Sequence, residues 1–401
     1  MKIIRIISAA LALTFTLCLC GCVSYVDLSD RAIVQAIGID YLPDKKVYRI
    51  SMQYFNQSSE GGQNQIDKTH DNVLKSVGEG DSVFSAAKNA SMLTGKDLLL
   101  SENRLIIVGK ELRKYDLSGT LEFFVGNFHS HPQAYVAAAE DTAEELLDIR
   151  FKEGSTSSQR LSDLIKNAAS ESRCRSTYPY QVMTMLCTST KSAFLPLLKT
   201  ATLKTDVTIP KESGEGGKGG GEEQIEDGET TIILDGGVVF MDGKELTTVD
   251  GDAATAVFFM TERPSEYSFT VPLEQYAKPS VTLGDVTRNI TATESGGKVT
   301  FDVTFTSSGK VGSRGTIGEN DENAAETVTK EAEKELQRII KNSVVPLMEQ
   351  GCDVFDFENT LRRCCNSFYN ENKDRIGEVI ADSDFNVRVG IDIFSLGLNT
   401  A

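Results

Sequence analysis

Tryptophan is absent from the 401 residues, histidine occurs three times, and no two of the eight cysteines have C-x-x-C spacing. Without tryptophan, a sugar-stacking platform would have to rest on tyrosine and phenylalanine. Three histidines and no paired thiols leave neither a zinc pattern nor a dithiol redox motif. Positive charge is in deficit, with 41 Lys and Arg against 58 Asp and Glu, giving a net charge of −17. That balance argues against nucleic acid and against a basic patch docked on anionic lipid. No Gly-x-Ser-x-Gly elbow occurs, and the glycines of 214–221 lack the Gly-Lys-Ser or Gly-Lys-Thr ending of a phosphate loop. Among the motifs sought, none predicts catalysis.

What is present begins at the N-terminus. Lys2 and Arg5 precede an uncharged, largely apolar run from Ile6 to Leu19, which ends in Leu19-Cys20-Gly21-Cys22. The run falls short of the roughly 20 residues of a spanning helix and reads as a secretory signal peptide. Cys22 after a small residue resembles a bacterial lipobox, because only a thiolate forms the thioether to diacylglycerol. Cys20 follows Leu19 and is the poorer acceptor. Lipidation at Cys22 is therefore expected, and cleavage would take the net charge to about −19 by removing Lys2 and Arg5. Two acyl chains would hold so acidic a protein at a membrane that otherwise repels it.

Six cysteines follow the cleavage point: Cys22, Cys174, Cys187, Cys352, Cys364 and Cys365. With Cys22 lipidated, an odd number remains. A Cys174–Cys187 bridge stays open, and ordinary buried thiols are the simpler expectation. His129 and His131, with Asp141 nearby, form the most metal-like set. Ser130 and Pro132 make their stretch a turn, so solvated loop histidines are expected there, and His70 lies in a polar loop. Asp40, Asp353 and Asp356 border apolar runs, where a carboxylate most often caps a turn or helix.

Strands are predicted at Ala32–Asp40, Val47–Phe55, Arg104–Val108 and Tyr135–Ala139, and helices at Ser82–Leu93, Leu117–Val125, Thr142–Ile149 and Ser157–Ala168, the last capped by Ser157 or Ser158. Between Lys211 and Glu229, seven of 19 residues are glycine and seven are acidic, which reads as a linker. Asp242-Gly243 predicts a tight hairpin between Thr231–Phe240 and Glu245–Val249. Ala253–Met260 and Tyr267–Val271 read as strands, and Ser280–Thr291 with Lys298–Ser307 as an alternating pair. A long helix over 321–345, capped by Asn320 or Asp321, should kink or end at Pro346. A helix at Phe357–Phe368 and a strand at Asp384–Ile393 complete the chain.

These segments resemble the Ger(x)C family, the C-subunit lipoproteins of spore nutrient germinant receptors. The resemblance rests on the lipobox, Ile33-Val34-Gln35-Ala36-Ile37-Gly38-Ile39-Asp40, Gly109-Lys110-Glu111-Leu112, Leu121-Glu122-Phe123-Phe124 and Ala143-Glu144-Glu145-Leu146-Leu147. In the second half it rests on Gly237-Val238-Val239-Phe240, Asp242-Gly243-Lys244-Glu245-Leu246, Gly351-Cys352-Asp353-Val354-Phe355-Asp356-Phe357 and Gly397-Leu398. The departures are Tyr25 near a usual tryptophan, Gly126-Asn127 for Arg-Asp, Ser101-Glu102-Asn103 where a histidine is common, Asp356 for glycine, and Pro346 within a helix. The resemblance implies a non-catalytic protein on the outer face of the spore's inner membrane. It also implies partnership with an A-type and a B-type membrane subunit.

The expected fold is α+β, with antiparallel or mixed sheets packed by helices and no βαβ repetition. The expected organisation is a signal peptide at 1–21, an N-terminal α+β domain at 22–205, a flexible linker at 206–229, a small β-rich middle domain at 230–278 and a C-terminal α+β domain at 279–398. No cofactor, metal site or catalytic residue is expected. The competing expectation is a solute-binding lipoprotein that delivers a small molecule to a transporter, which would require a cleft between two similar lobes.

Overall fold

The computed structural model describes residues 3, 7, 30–55, 73–126, 130–151, 155–203, 229–276, 278–313 and 324–395. Cys22, His70, His129, nearly all of the Gly/Glu-rich segment, Asn320, Asp321 and Gly397-Leu398 lie outside the described residues.

Strand β1 (Arg31–Leu42) is buried without interruption from Ala32 to Asp40, as a central strand covered on both faces must be. β2 (Val47–Phe55) returns antiparallel to it, with Ile39 opposite Ile50, and β3 (Val73–Gly80) extends the sheet beyond β2. Helix α1 (Val83–Thr94) starts at Ser82, whose hydroxyl accepts from Ser85 N–H, and stops at Gly95 in the left-handed conformation. The short β4 (Asp97–Leu99) then pairs with the first residues of β1. β5 (Leu105–Val108), α2 (Leu117–Gly126), β6 (Tyr135–Ala139), α3 (Ala143–Asp148), α4 (Ser157–Ser170), α5 (Pro179–Leu186) and β7 (Ala193–Leu203) follow.

The expectation of no βαβ repetition needs correction. β1, β5, β6 and β7 lie parallel side by side, with α2 making one crossover and α3 to α5 the next. β5 and β6 have only four and five residues and the second crossover is divided among three helices of 6, 14 and 8 residues, so no regular period marks the repeat. Ser157 and Ser158 do not cap α4. Thr156 does, accepting from Gln159 N–H at 3.2 Å, while the Ser157 hydroxyl donates to Leu147 and Ile149 carbonyls.

β7 pairs antiparallel with β8 (Glu229–Met241), bringing Leu203 opposite Glu229, and β9 (Lys244–Val249) ends a nine-stranded sheet. The Gly/Glu-rich stretch thus joins neighbouring strands of one sheet, and residues 230–249 add to that sheet rather than forming a separate middle unit. β7 carries Pro196 and a register shift beside it, which hid the strand partner. The turn at Asp242 and Gly243 follows expectation, with φ of 51° and 75° in a two-residue connection.

Ala253–Met260, expected as a strand, lies within helix α6 (Gly251–Thr261), capped by Asp250 through a 2.9 Å bond from Ala253 N–H. Every residue from Ala253 to Met260 is buried, and an apolar run covered on all sides carries no period to separate helix from strand. β10 (Glu266–Thr270), β11 (Ser280–Ser295), β12 (Lys298–Ser313) and β13 (Asp384–Ser395) form a second sheet in that order. Helix α7 (Ala324–Met348) crosses between the parallel β12 and β13, burying Val328, Ala332, Leu336, Ile340 and Val344. Pro346 falls in its last turn, and Gly351 at φ 73° closes the helix end as its N–H donates to Met348 O. The expected single helix from Phe357 to Phe368 is two, α8 (Phe357–Cys364) and α9 (Asn366–Asn372). They break at Cys365, whose thiol turns toward Ala292 O of β11. α10 (Ile376–Ala381) precedes β13.

Candidate functional site at the joint between the sheets

Two motifs carry the chemistry of the fold, and both use a buried aspartate. Asp40 ends the core of β1 and is 6% exposed. Its carboxylate accepts from Ala143 N–H at 2.8 Å and Glu144 N–H at 3.1 Å, capping α3 from 103 residues away. Burial raises its pKa, opposed by those two backbone bonds. The neighbouring glycines make room: a Cβ at Gly109 would stand 1.8 Å from Asp40 Oδ1, and one at Gly38 would stand 3.0 Å from Ala143 Cβ. The Gly38-Ile39-Asp40 strand and Gly109 therefore form one device that fixes α3 on the sheet.

The second motif, Gly351 to Phe357, joins the two sheets. Asp353 Oδ1 accepts from Phe357 N–H at 2.8 Å and Phe355 N–H at 3.3 Å, and Oδ2 accepts from Glu358 N–H at 2.7 Å. These bonds cap α8. Burial pushes the Asp353 carboxyl up to about 6 against the pull of the same N–H groups. Asp356, where glycine is usual in the resemblance, has φ 69°, the left-handed conformation that glycine adopts without strain. Phe355 and Phe357 are fully buried, and Phe357 packs on Phe301 of β12 at 4.4 Å between ring centroids.

From the other side, the loop between α5 and β7 reaches into this joint. Ser192 Oγ accepts from Asp353 N–H at 3.0 Å. Ser189 donates to Glu358 from its N–H at 2.9 Å and its hydroxyl at 2.7 Å, and the Tyr369 hydroxyl adds a bond at 3.1 Å. Glu358 is 8% exposed, so the three donors compensate a largely desolvated carboxylate. Arg288 of β11 closes the α6 end by donating to the carbonyls of Phe259 and Glu262 at 2.8 and 3.0 Å. A cleft of about 280 Å³ lies over the joint, lined by Arg175, Tyr180, Met185, Thr261, Asp353 and Asn359 among others. Arg175 Nε stands 3.0 Å from Glu262 Oε1. In this joint Asp353 and Glu358 are occupied in holding backbone and hydroxyl groups, so the arrangement couples two bodies mechanically.

Of the metal-like set, His131 and Asp141 are described, and each has another partner. His131 Nδ1 accepts from Gln133 N–H within its own turn, and Asp141 pairs with Lys110 at 3.3 Å on the surface. Among the described residues no group of three or more His, Cys, Asp and Glu side chains is placed to hold a metal ion. Cys174, Cys187, Cys352, Cys364 and Cys365 are free thiols, so the Cys174–Cys187 bridge does not form. Burial pushes Cys174 and Cys352 up to about 12, which keeps both as inert thiols. Asp40 and Asp353 have the capping roles their sequence context suggested. Ser189, Ser192 and Glu358 had no sequence signal, since each partner lies more than 150 residues from the other.

Fold and joint together define a class: a two-sheet α+β body with a serine loop of one sheet latched to a buried Asp–Glu turn of the other. Residues 24–200 match the family described as "Spore germination protein N-terminal domain", and residues 235–397 match "Spore germination B3/ GerAC like, C-terminal". The chain belongs to the Ger(x)C family of spore germination proteins. Over 148 residues it is 28% identical to spore germination protein KC of Bacillus subtilis (strain 168), a match that spans 35% of each chain. The crystal structure of the GerBC protein is similar over 89% of this chain and 96% of that one, with a TM-score of 0.51 and 14% identity, a likeness of fold.

Proposed function

We propose that this protein is a membrane-tethered, non-enzymatic subunit of a nutrient germinant receptor, required for the receptor's assembly or signalling. The two family matches, which together run from residue 24 to 397 on either side of the β7–β8 connection, are the observation that carries the reading. Cys22 is the lipidated residue, and a diacylglycerol thioether holds the chain on the outer face of the cytoplasmic membrane, which is the inner membrane of the spore. Its partners are an A-type and a B-type membrane subunit. Among the described residues no helix is long and apolar enough to cross a membrane; what supports the tether at Cys22 is the lipobox-like Leu19-Cys20-Gly21-Cys22. A body whose buried carboxylates serve structure acts by contact.

Deleting the chain should abolish nutrient-triggered germination through its own receptor, assayed in a strain without redundant receptors. Unchanged germination in that strain overturns the reading. The solute-binding alternative would use the cleft over the joint. Calorimetry against amino acids and sugars should give no micromolar binding by this subunit alone, and such binding would favour the alternative.

A further inference from the structure

Arg31 opens β1 opposite Asp97 of β4, directly after the end of α1. β3 begins at this same end of the sheet, because Val73 pairs with Phe55, which pairs with Ile33. The Ser76 hydroxyl donates to Ala90 O at 2.7 Å, so Leu74, two residues back on the same face of β3, lies level with the last turn of α1. There Met92 and Leu93 are 71% and 74% exposed, and Leu74 is 40% exposed. These are three of the large apolar side chains that the fold leaves in water, gathered where the chain enters the sheet. From Ser82 to Lys96 the sequence holds two lysines and no acidic residue, in a chain with 58 Asp and Glu. Lys88 is exposed and Lys96 half-buried, and no carboxylate among the described residues pairs with either.

We infer that this end of the sheet, with Met92, Leu93 and Leu74 at its centre and Lys88 and Lys96 beside them, is a docking face for the surface of an anionic lipid bilayer. The inference rests on the Cys22 anchor. Eight residue steps lead from Cys22 to Asp30, a reach of at most about 29 Å at full extension. β1 itself, at 12 residues, is about 40 Å long. A tether shorter than the sheet presents the Arg31 end to the bilayer in preference to the opposite end, and that end bears the exposed methionine and leucines. Apolar side chains entering the headgroup boundary supply the contact, while the lysines meet lipid phosphates. The acidity of the chain as a whole opposes a basic patch on lipid, and the acid-free helix removes that repulsion locally. Asp30 and Asp97, both exposed, flank Arg31 at this same end, so the apolar side chains rather than net charge must supply most of the contact.

The test uses the full mature chain bound to vesicles of phosphatidylglycerol and phosphatidylethanolamine. Peroxide oxidation of Met92 and acetylation of Lys88 and Lys96 are followed by mass spectrometry. Met92 oxidation should be slowed roughly tenfold relative to vesicle-free protein, as a face seated for about nine-tenths of the time requires. Met92→Asp together with Leu93→Asp, both at exposed positions, should remove the lysine protection while the protein stays anchored. The N-terminal peptide from the same sample reports the acyl chains separately. An acylated Cys22 with Met92 oxidised at the free rate overturns the docking face and leaves the anchor standing. Met92 protection with an unmodified Cys22 sustains the face and removes the anchor. Protection in spore membranes but not on protein-free vesicles assigns the face to a protein partner and overturns the lipid inference.

Discussion

Substituting Asp353 by Asn separates two opposed forces on the carboxylate at the joint. Burial disfavours the charge, while three backbone N–H donors at 2.7, 2.8 and 3.3 Å favour it. The net effect holds the group at about 6 in the folded protein. An unfolded aspartate titrates near 3.9, so the folded protein binds more proton between those values. The contribution of Asp353 is therefore fully present below about pH 4 and is lost as pH rises through 6. Two pK units correspond to ~3 kcal/mol. Asn is nearly isosteric and never charged. It keeps a carbonyl for the N–H groups of Phe355 and Phe357, but its amide nitrogen, unlike the hydroxyl oxygen of the neutral acid, cannot accept from Glu358 N–H. Urea unfolding of residues 23–401 followed by far-ultraviolet circular dichroism should show Asp353→Asn less stable than wild type near pH 4, because Glu358 N–H loses its acceptor. By pH 7 the variant should have gained about 3 kcal/mol relative to wild type. A variant that loses ground as pH rises would show that the N–H cradle outweighs burial, and the reasoning would fail.

Gly109→Ala forces its Cβ onto Asp40 Oδ1 and should dislodge the α3 cap, costing about 2 kcal/mol in the same unfolding assay; a change under half of that would show that Asp40 is free to move. Asp356→Gly relieves a left-handed non-glycine residue and should stabilise the fold by roughly 0.5–1 kcal/mol, read as a higher urea midpoint at constant slope. Glu358→Gln leaves the Ser189 and Tyr369 donors with a neutral partner and should cost about 2 kcal/mol, with faster proteolysis at the α5–β7 loop if the joint opens as a unit.

Elements with a clean period were legible in the sequence. The Asp242-Gly243 turn, the β11–β12 pair and α7 with its Val328-Ala332-Leu336 seam all have one wet side or a turn residue that admits one geometry, while β1, covered on both faces, was legible as an unbroken apolar run. α6 was misread because its surroundings are apolar on every side. β3 and β7 escaped because pairing rather than a local period fixes them: β3 lies between α1 and β2, and β7 pairs with β8 across the Gly/Glu-rich segment. Asp40 and Asp353 stood out as carboxylates beside apolar runs. Asp353 caps the turn that follows it directly, but what Asp40 caps and which loop latches the joint depend on contacts 103 and 161 residues apart, which no local pattern encodes.

The central claim is that this chain works by assembling with two membrane subunits, and co-purification tests it most directly. An affinity-tagged copy extracted from spore inner membranes in mild detergent should bring down an A-type and a B-type subunit together, with Cys22 acylated in the recovered chain. Recovery of the tagged chain alone, or together with a transporter ATPase from vegetative membranes, would contradict the claim.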